Sequence, residues 1–176
     1  MLSIGAPAAW GLAHASDAYR GRVVDAETKQ PLVGAVVLAI WYRAIPVAPH
    51  GPAEDFYDAF EVLTDMRGEF PVPAKVHVTL IGTIEGPTFV IYQPGYGYYP
   101  VFQIRPTGDA IENAFQEFTV VELPRWRTRE QRRQLMDLPV WTTKVPAAKM
   151  PNLIHRANEE GQSIGISSVY GREKLR

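Results

Sequence analysis

Residues 21–37 read Gly-Arg-Val-Val-Asp-Ala-Glu-Thr-Lys-Gln-Pro-Leu-Val-Gly-Ala-Val-Val, a pattern that predicts a strand, a turn and a second strand in a hairpin-like unit. The Asp25 carboxylate can accept backbone N–H groups two residues further on, and Pro31 presets φ just before the second strand. That second strand, rich in β-branched and apolar residues, extends from Gly34 to Ile45. We expect the rest of the chain to be organised around this unit.

The second strand is apolar on both of its faces. Ala35, Val37, Ala39 and Trp41 share one face, and Val36, Leu38, Ile40 and Tyr42 share the other. A half-exposed strand would alternate with polar residues, so this strand is predicted to be central and covered on both sides.

Further short runs, separated by turn residues, bring the total to seven or eight predicted strands. They lie at Phe60–Asp65, Phe70–Val72, Val76–Ile81, Phe89–Tyr92, Val101–Ile104 and Phe118–Leu123, and Gly68 supplies a positive φ in a tight turn. Thr128 and Gln131 form a capping-box pattern that starts a helix ending near Leu138. A second helix is predicted from Pro151 or Asn152 to Gly161. Leu135, Leu138, Leu153 and Ile154 are expected to dock both helices.

The composition is that of one globular domain, with 176 residues, 46% hydrophobic and 21% charged. The absence of cysteine excludes disulfides and thiolate metal sites. No apolar run approaches the roughly 18 residues that a membrane span needs. Residues 1–121 carry 7 basic and 13 acidic side chains, whereas residues 122–176 carry 11 and 6. This asymmetry favours packing of the basic tail on its own domain, with attraction between subunits as the alternative.

The first fifteen residues are small and apolar and end in Ala13-His14-Ala15, which resembles a signal-peptidase site. This pattern predicts an exported protein, periplasmic or extracellular. Two features oppose a signal peptide, because no Lys or Arg precedes Arg20 and Pro7 interrupts the apolar run.

Three spaced motifs together resemble the carboxypeptidase regulatory-like domain family. They are Gly21-x-Val23-x-Asp25-x-x-Thr28-x-x-Pro31-Leu32-x-Gly34-Ala35-x-Val37, then Thr64-Asp65-x-x-Gly68-x-Phe70, then Pro94-Gly95-Tyr96. The resemblance implies a seven-stranded Greek-key, transthyretin-like β-sandwich over residues 18–123, between an apolar extension (residues 1–17) and a basic helical tail (residues 124–176). The tail is similar to helices appended to this sandwich in bacterial envelope proteins. The resemblance also implies a non-catalytic accessory or surface module.

The sequence offers no catalytic constellation and no cofactor site. No His-x-x-Glu zinc pair of a carboxypeptidase is present, and the four histidines lie far apart in sequence. Hydroxyisourate hydrolases of transthyretin-like fold carry a Tyr-Arg-Gly-Ser signature, and the nearest match, Tyr170-Gly171-Arg172, has another order. Residues 46–58 are predicted to form an exposed acidic loop. Its His50, Glu54, Asp55 and Asp58 could gather around calcium, although a solvated loop explains them better.

Two clusters are candidates for an interaction surface. The first is an aromatic cluster of Tyr92, Tyr96, Tyr98, Tyr99 and Phe102, and Trp41 and Tyr42 are further aromatic residues elsewhere in the sequence. The second is a basic run that contains Trp126, Arg129, Arg132 and Arg133. Tyrosines either pack in the core, anchor a protein interface or stack on sugars. The near-neutral chain argues against nucleic acid, and a solvated helix face explains the arginines better.

The sequence therefore predicts a non-enzymatic β-sandwich module that acts through protein–protein contacts. A subunit of a larger assembly is the more specific hypothesis, with residues 1–15 and the helical tail reaching onto neighbours. A carbohydrate-binding module that uses residues 92–102 is the alternative, and a transthyretin-fold hydrolase is the third.

Overall fold

A computed structural model of the chain describes residues 12–16, 18–45, 53–99, 118–134 and 144–166. Within these ranges lie eight strands: β1 (Leu12–Ser16), β2 (Tyr19–Asp25), β3 (Val36–Ile45), β4 (Ala53–Leu63), β5 (Glu69–Val72), β6 (Lys75–Thr79), β7 (Thr83–Tyr92) and β8 (Thr119–Leu123). Two helices follow, α1 (Arg129–Gln134) and α2 (Pro151–Ser163), with a short 3-10 turn at Ala147–Lys149 before α2. The described chain is mainly β with two short helices, as the sequence predicts.

Two three-stranded sheets form the body of the fold. In the first sheet β2 is central, with β5 antiparallel on one side and β8 parallel on the other. In the second sheet β3 is central, with β4 and β7 antiparallel on either side. Strands β2 and β3 therefore lie in different sheets, and the predicted hairpin-like pairing of these strands is wrong. The turn between them carries the chain from one sheet to the other.

Strand β3 is covered on both faces. Its first face packs between the two sheets, in a core that contains Val23, Ala35, Val37, Ala39, Trp41, Phe70, Val72, Phe89, Ile91, Val121 and Leu123. Its second face packs under the C-terminal segment, in a core that contains Val36, Leu38, Ile40, Tyr42, Val90, Tyr92, Met150, Leu153, Ile154 and Ala157. The prediction of a central strand buried on two sides is confirmed, and the molecule has three layers.

Strands β1 and β6 continue the antiparallel pairing of β2 with β5. Tyr19 lies opposite Val72, and Ser16, three residues earlier, lies opposite Lys75, three residues later. The β1–β6 pair and the β2–β5 pair therefore share one register, although the chain is interrupted between them. We call the β1–β6 pair, together with Leu80 and Ile81 at its end, the arm.

The C-terminal tail docks on β4 through polar contacts as well as through the second core. The Glu61 carboxylate accepts the backbone N–H groups of Asn152 and Leu153 at 2.9 and 2.8 Å, which caps the start of α2. Lys149 pairs with Asp58 at 2.8 Å. The expectation that the basic tail packs on its own acidic domain is confirmed for these residues.

The helix boundaries agree with the sequence at the start and differ at the end. Thr128 and Gln131 exchange hydrogen bonds in a capping box, as predicted. Gly161, predicted as the residue that ends the second helix, is instead buried inside α2. The chain leaves the helix at Gly165, whose φ of 81° suits glycine. The predicted strand Val101–Ile104 and the anchors Leu135 and Leu138 lie outside the described residues.

Gly21 is a close-packing point between β2 and its two neighbours. A Cβ at Gly21 would lie 2.6 Å from the Phe70 ring and 2.7 Å from the Thr119 carbonyl oxygen. We expect Gly21→Ala to lower the free energy of unfolding by about 1–3 kcal/mol, the usual cost of overpacking, measured by urea denaturation.

A second variant tests the cause of that loss. The smaller side chain of Phe70→Leu relieves the ring contact, so Gly21→Ala should cost less in a Phe70→Leu background than in the wild type. Strictly additive losses would show that the Phe70 ring does not limit the space at Gly21.

Candidate functional surfaces

A buried polar cluster joins the first turn to the tyrosine segment and the tail. The Asp25 side chain is only 3% exposed, and one carboxylate oxygen accepts the N–H groups of Glu27 and Thr28 at 2.8 and 3.0 Å. Its other oxygen accepts the Tyr96 hydroxyl at 3.0 Å and lies 3.3 Å from the Arg125 guanidinium. Arg125 also donates to the Tyr96 oxygen at 2.6 Å. The predicted Asp25 turn is confirmed, with tertiary partners that local sequence did not reveal.

These contacts keep Asp25 ionised and Tyr96 protonated at neutral pH. The backbone N–H of Thr28 is the largest influence that lowers the pKa of Asp25 to about 2, with Glu27, Tyr96 and Arg125 acting in the same direction against burial. Burial raises the pKa of the Tyr96 hydroxyl, so this group stays a donor at neutral pH. An acid that stays ionised at neutral pH and whose hydrogen-bond partners are all supplied by the fold suits a structural role better than proton transfer.

Three of the candidate tyrosines belong to the core. Tyr96 and Tyr99 pack in the core between the sheets, and Tyr98 packs with Trp126 in the core beneath the tail. All four side chains are buried. Of the three alternatives for the tyrosines, the described structure agrees with packing in the core, so Tyr96, Tyr98, Tyr99 and Trp126 do not form an exposed interaction surface here. Phe102 lies outside the described residues.

Two of the candidate arginines, Arg129 and Arg132, bind the C-terminal end of α2. Arg129 donates twice to the carbonyl of Ile164 at the end of α2, at 3.0 and 2.7 Å. Arg132 pairs with the buried Glu160 and donates to Ser163. A cation at the carboxyl end of a helix is favourable for the helix dipole, so these contacts stabilise the fold. An open depression of about 480 Å³ lies here, lined by Arg129, Arg132 and residues 162–165. Arg133 is exposed.

The acidic residues of 53–58 form part of β4, so the predicted loop is wrong for that portion. Asp55 pairs with Arg43 at 3.3 Å, and Asp58 pairs with Lys75 and Lys149. Burial disfavours the charged form, but hydrogen bonds from Lys149 and Lys75 outweigh it and lower the pKa of Asp58 to about 2. Cationic side chains of the protein thus pair with two of the carboxylates, Asp55 and Asp58, that were considered as calcium ligands. His50 lies outside the described residues.

The described residues contain no group of three or more side chains suited to a metal ion. His14, distant in sequence from His77, is nevertheless registered opposite it in the β1–β6 ladder. His77 is buried beside the rings of Trp41 and Tyr57, with centroids at 5.1 and 5.3 Å. Nor does any helix in the described part of the chain have the length and apolarity to cross a membrane.

The arm has an apolar outer face that the sequence analysis did not single out. Strand β6 alternates as predicted, but its polar side faces inward, since His77 and Thr79 are buried. The exposed residues are Val76 (72%), Val78 (56%), Leu80 (78%) and Ile81 (66%). Opposite Val76 and Val78 in the ladder stand Ala15 and Ala13. The signal in the sequence was the alternation itself, which does not reveal which side is buried.

The Asp25 cluster leads to a prediction on acid stability. Because its pKa is lowered in the folded state, ionised Asp25 stabilises the fold above about pH 4, and this contribution is lost as pH falls from 3.8 towards 2. Asp25→Asn should lower the free energy of unfolding at pH 7 by about 1.5–3 kcal/mol, as expected for hydrogen bonds to a charged group. It should also make stability less dependent on pH between 4 and 2, measured by urea denaturation.

Asp58 titrates over the same range, so the dependence in Asp25→Asn should shrink without vanishing. Asp55→Asn, at an exposed pair, is the matched control and should change stability by less than about 0.5 kcal/mol. An unaltered pH dependence in Asp25→Asn would contradict the assignment.

The burial of Tyr98 leads to a second prediction. Tyr98→Ala should lower the free energy of unfolding by about 3–5 kcal/mol, as large aromatic truncations in cores do, measured by chemical denaturation. A variant as stable as the wild type would show that Tyr98 is a surface residue.

Comparisons of this chain with protein-family models, with curated proteins and with solved structures found no match. Its function is therefore inferred from the contacts and the exposed surfaces of its described residues. The resemblance to the carboxypeptidase regulatory-like family rests on the three motifs alone.

Proposed function

We propose that the chain is a non-enzymatic β-sandwich module that acts through protein–protein contacts and associates with further copies of itself. The observation that carries this proposal is the arm, where four large apolar side chains, Val76, Val78, Leu80 and Ile81, are each more than half exposed. Exposed apolar residues that follow one another this closely in sequence are characteristic of interaction sites. Burying each would contribute about 1.5–3 kcal/mol to association, before the entropic cost of binding.

The other candidate surfaces support the proposal because their side chains are already buried or bonded within the fold. Tyr96, Tyr98, Tyr99 and Trp126 are buried, which favours protein–protein contacts over a carbohydrate-binding module that would need them as an exposed aromatic platform. Arg129 and Arg132 hold the end of α2, and the segment 144–166 packs on its own sheet. Of the two terminal extensions first considered for assembly, the N-terminal one is therefore the better candidate.

Contacts among the three motifs favour the carboxypeptidase regulatory-like assignment and its transthyretin-like topology. Gly21 packs against Phe70, and Val23 donates to the Gly68 carbonyl. The Thr64 hydroxyl joins Leu32 to Ala35, and Tyr96 reaches Asp25. Residues of the three motifs thus contact one another although they are far apart in sequence, which supports the interpretation that the motifs belong to one family pattern.

Export to the cell envelope or the exterior is part of the proposal. It rests on the apolar start of the chain and on Ala13-His14-Ala15. That tripeptide lies in β1, which pairs with β6, so we propose that this segment is retained in the exported protein.

Light scattering of the purified chain at several concentrations tests the proposal. We expect an assembly larger than one chain, and we expect Val76→Thr combined with Val78→Thr to lower its mass towards that of the monomer. Threonine keeps the β-branched shape and strand preference while making the face polar. Val120→Thr alters a valine on β8 that is also half exposed, and should leave the mass unchanged. A monomer at every concentration would overturn the proposal.

A further inference from the structure

We propose that the arm is a pH-sensitive element that docks on β4 while His77 is neutral and is released when His77 takes up a proton. His77 lies on the inward side of β6 and is only 2% exposed. Its ring packs beside those of Trp41 and Tyr57, with centroids at 5.1 and 5.3 Å. Burial disfavours a charged imidazole, and imidazole is the side-chain group that ordinarily changes charge between pH 5 and 8. The docked arm therefore favours the neutral form of His77.

Two groups of the arm itself oppose a charge on His77. Lys75 lies two residues before His77 and therefore on the same side of β6. His14 on β1 is registered directly opposite His77. Like charges at directly opposite positions of a ladder are destabilising, so protonation of both histidines would weaken the arm and its contacts.

Polar contacts attach the arm to β4. Lys75 pairs with Asp58 at 2.8 Å, and the Tyr57 hydroxyl donates to the carbonyl of Val78 at 3.0 Å and accepts its N–H at 3.1 Å. Asp58 also binds Lys149 at 2.8 Å, so this carboxylate is shared between two lysines. Although burial opposes the charged form, hydrogen bonds from Lys149 and Lys75 lower the pKa of Asp58 to about 2. Asp58 therefore stays ionised wherever histidine titrates, and a change in the arm between pH 5 and 8 would not originate from it.

Other charged groups of the sheet below the arm pair with one another or lie on its opposite face. Arg43 on β3 and Asp55 on β4 pair at 3.3 Å. Trp41, which contacts His77, packs in the first core, whereas Tyr42 packs in the second. The carboxylates on the face of Tyr42 are those of Glu54, Glu61 and Glu85. These groups therefore do not stabilise a charge on His77.

Acid is expected to favour release of the arm. A solvated histidine binds a proton below about pH 6.5, whereas docked His77 stays neutral, so the released arm holds more protons and gains population as pH falls. For one such histidine the ratio of released to docked arm rises about tenfold between pH 7.5 and 5.5. A two-stranded pair is marginal alone in water, so release also exposes the backbone amides of β6.

Hydrogen–deuterium exchange of the full-length chain at pH 7.5, 6.5 and 5.5, corrected for the intrinsic exchange rate, measures this release. We expect the protection of residues 75–79 to fall about tenfold over this range, while that of residues 36–40 in β3 stays constant. His77→Gln and His77→Phe cannot take up a proton and should each abolish the fall, and the phenyl ring keeps the aromatic contacts in the second variant. His155→Gln, at an exposed histidine of α2, is the matched control and should retain it.

Constant protection of residues 75–79 in the wild type would overturn the inference. So would a fall that persists in both His77 variants, or one shared equally by residues 36–40, because that would be unfolding of the whole chain. The fall should also persist when Val76→Thr and Val78→Thr are combined, since these side chains face outward. Its loss there would show that exchange follows dissociation of an assembly, which overturns release through His77. A monomeric wild type by light scattering would overturn self-association and leave this inference standing.

Discussion

Strand β3 sets the architecture, because an extended segment that is apolar on both sides must be covered on both sides. Every residue from Val36 to Trp41 is fully buried. The β5–β2–β8 sheet covers one face, and the C-terminal segment, through Met150 and Leu153, covers the other. Helix α2 has only 13 residues and is marginal alone in water, so it requires this surface as much as β3 requires a cover. The helical tail is thus part of the core.

Part of the charge asymmetry of the chain is compensated by contacts between the described tail and the sheets. Acidic groups on the β4 strand hold the tail, Glu61 at the start of α2 and Asp58 through Lys149. Arg127 reaches back to Glu27 beside the first turn. Exposed pairs of this kind contribute little individually, but together they determine where the tail lies on the sheet. Charged residues committed to such contacts are poor candidates for recognising a partner.

Local chemistry made part of the fold predictable from sequence. The two faces of β3, the Asp25 turn, the positive φ of Gly68 and the Thr128 capping box all depend on residues close in sequence. The sheet that each strand joins was not predictable, because β2 and β3 satisfy their backbone groups with strands far away in the chain. The start of β4 resembled a loop since its compensating cations, Arg43 and Lys75, are likewise distant.

The candidate site was harder to predict, since it depends on which side of a strand is buried. The tyrosines of 96–99 resembled a surface cluster until two layers closed over them. In β6 the opposite occurred, because His77 packs beside Trp41 while Val76 and Val78 face outward. A shift of one residue would bury the valines and expose His77, so the observed register leaves apolar surface uncovered. The Tyr57 hydroxyl is hydrogen-bonded to the backbone of Val78 at the edge of β6, so this edge is occupied at Val78 while the side chains of Val76 and Val78 stay exposed.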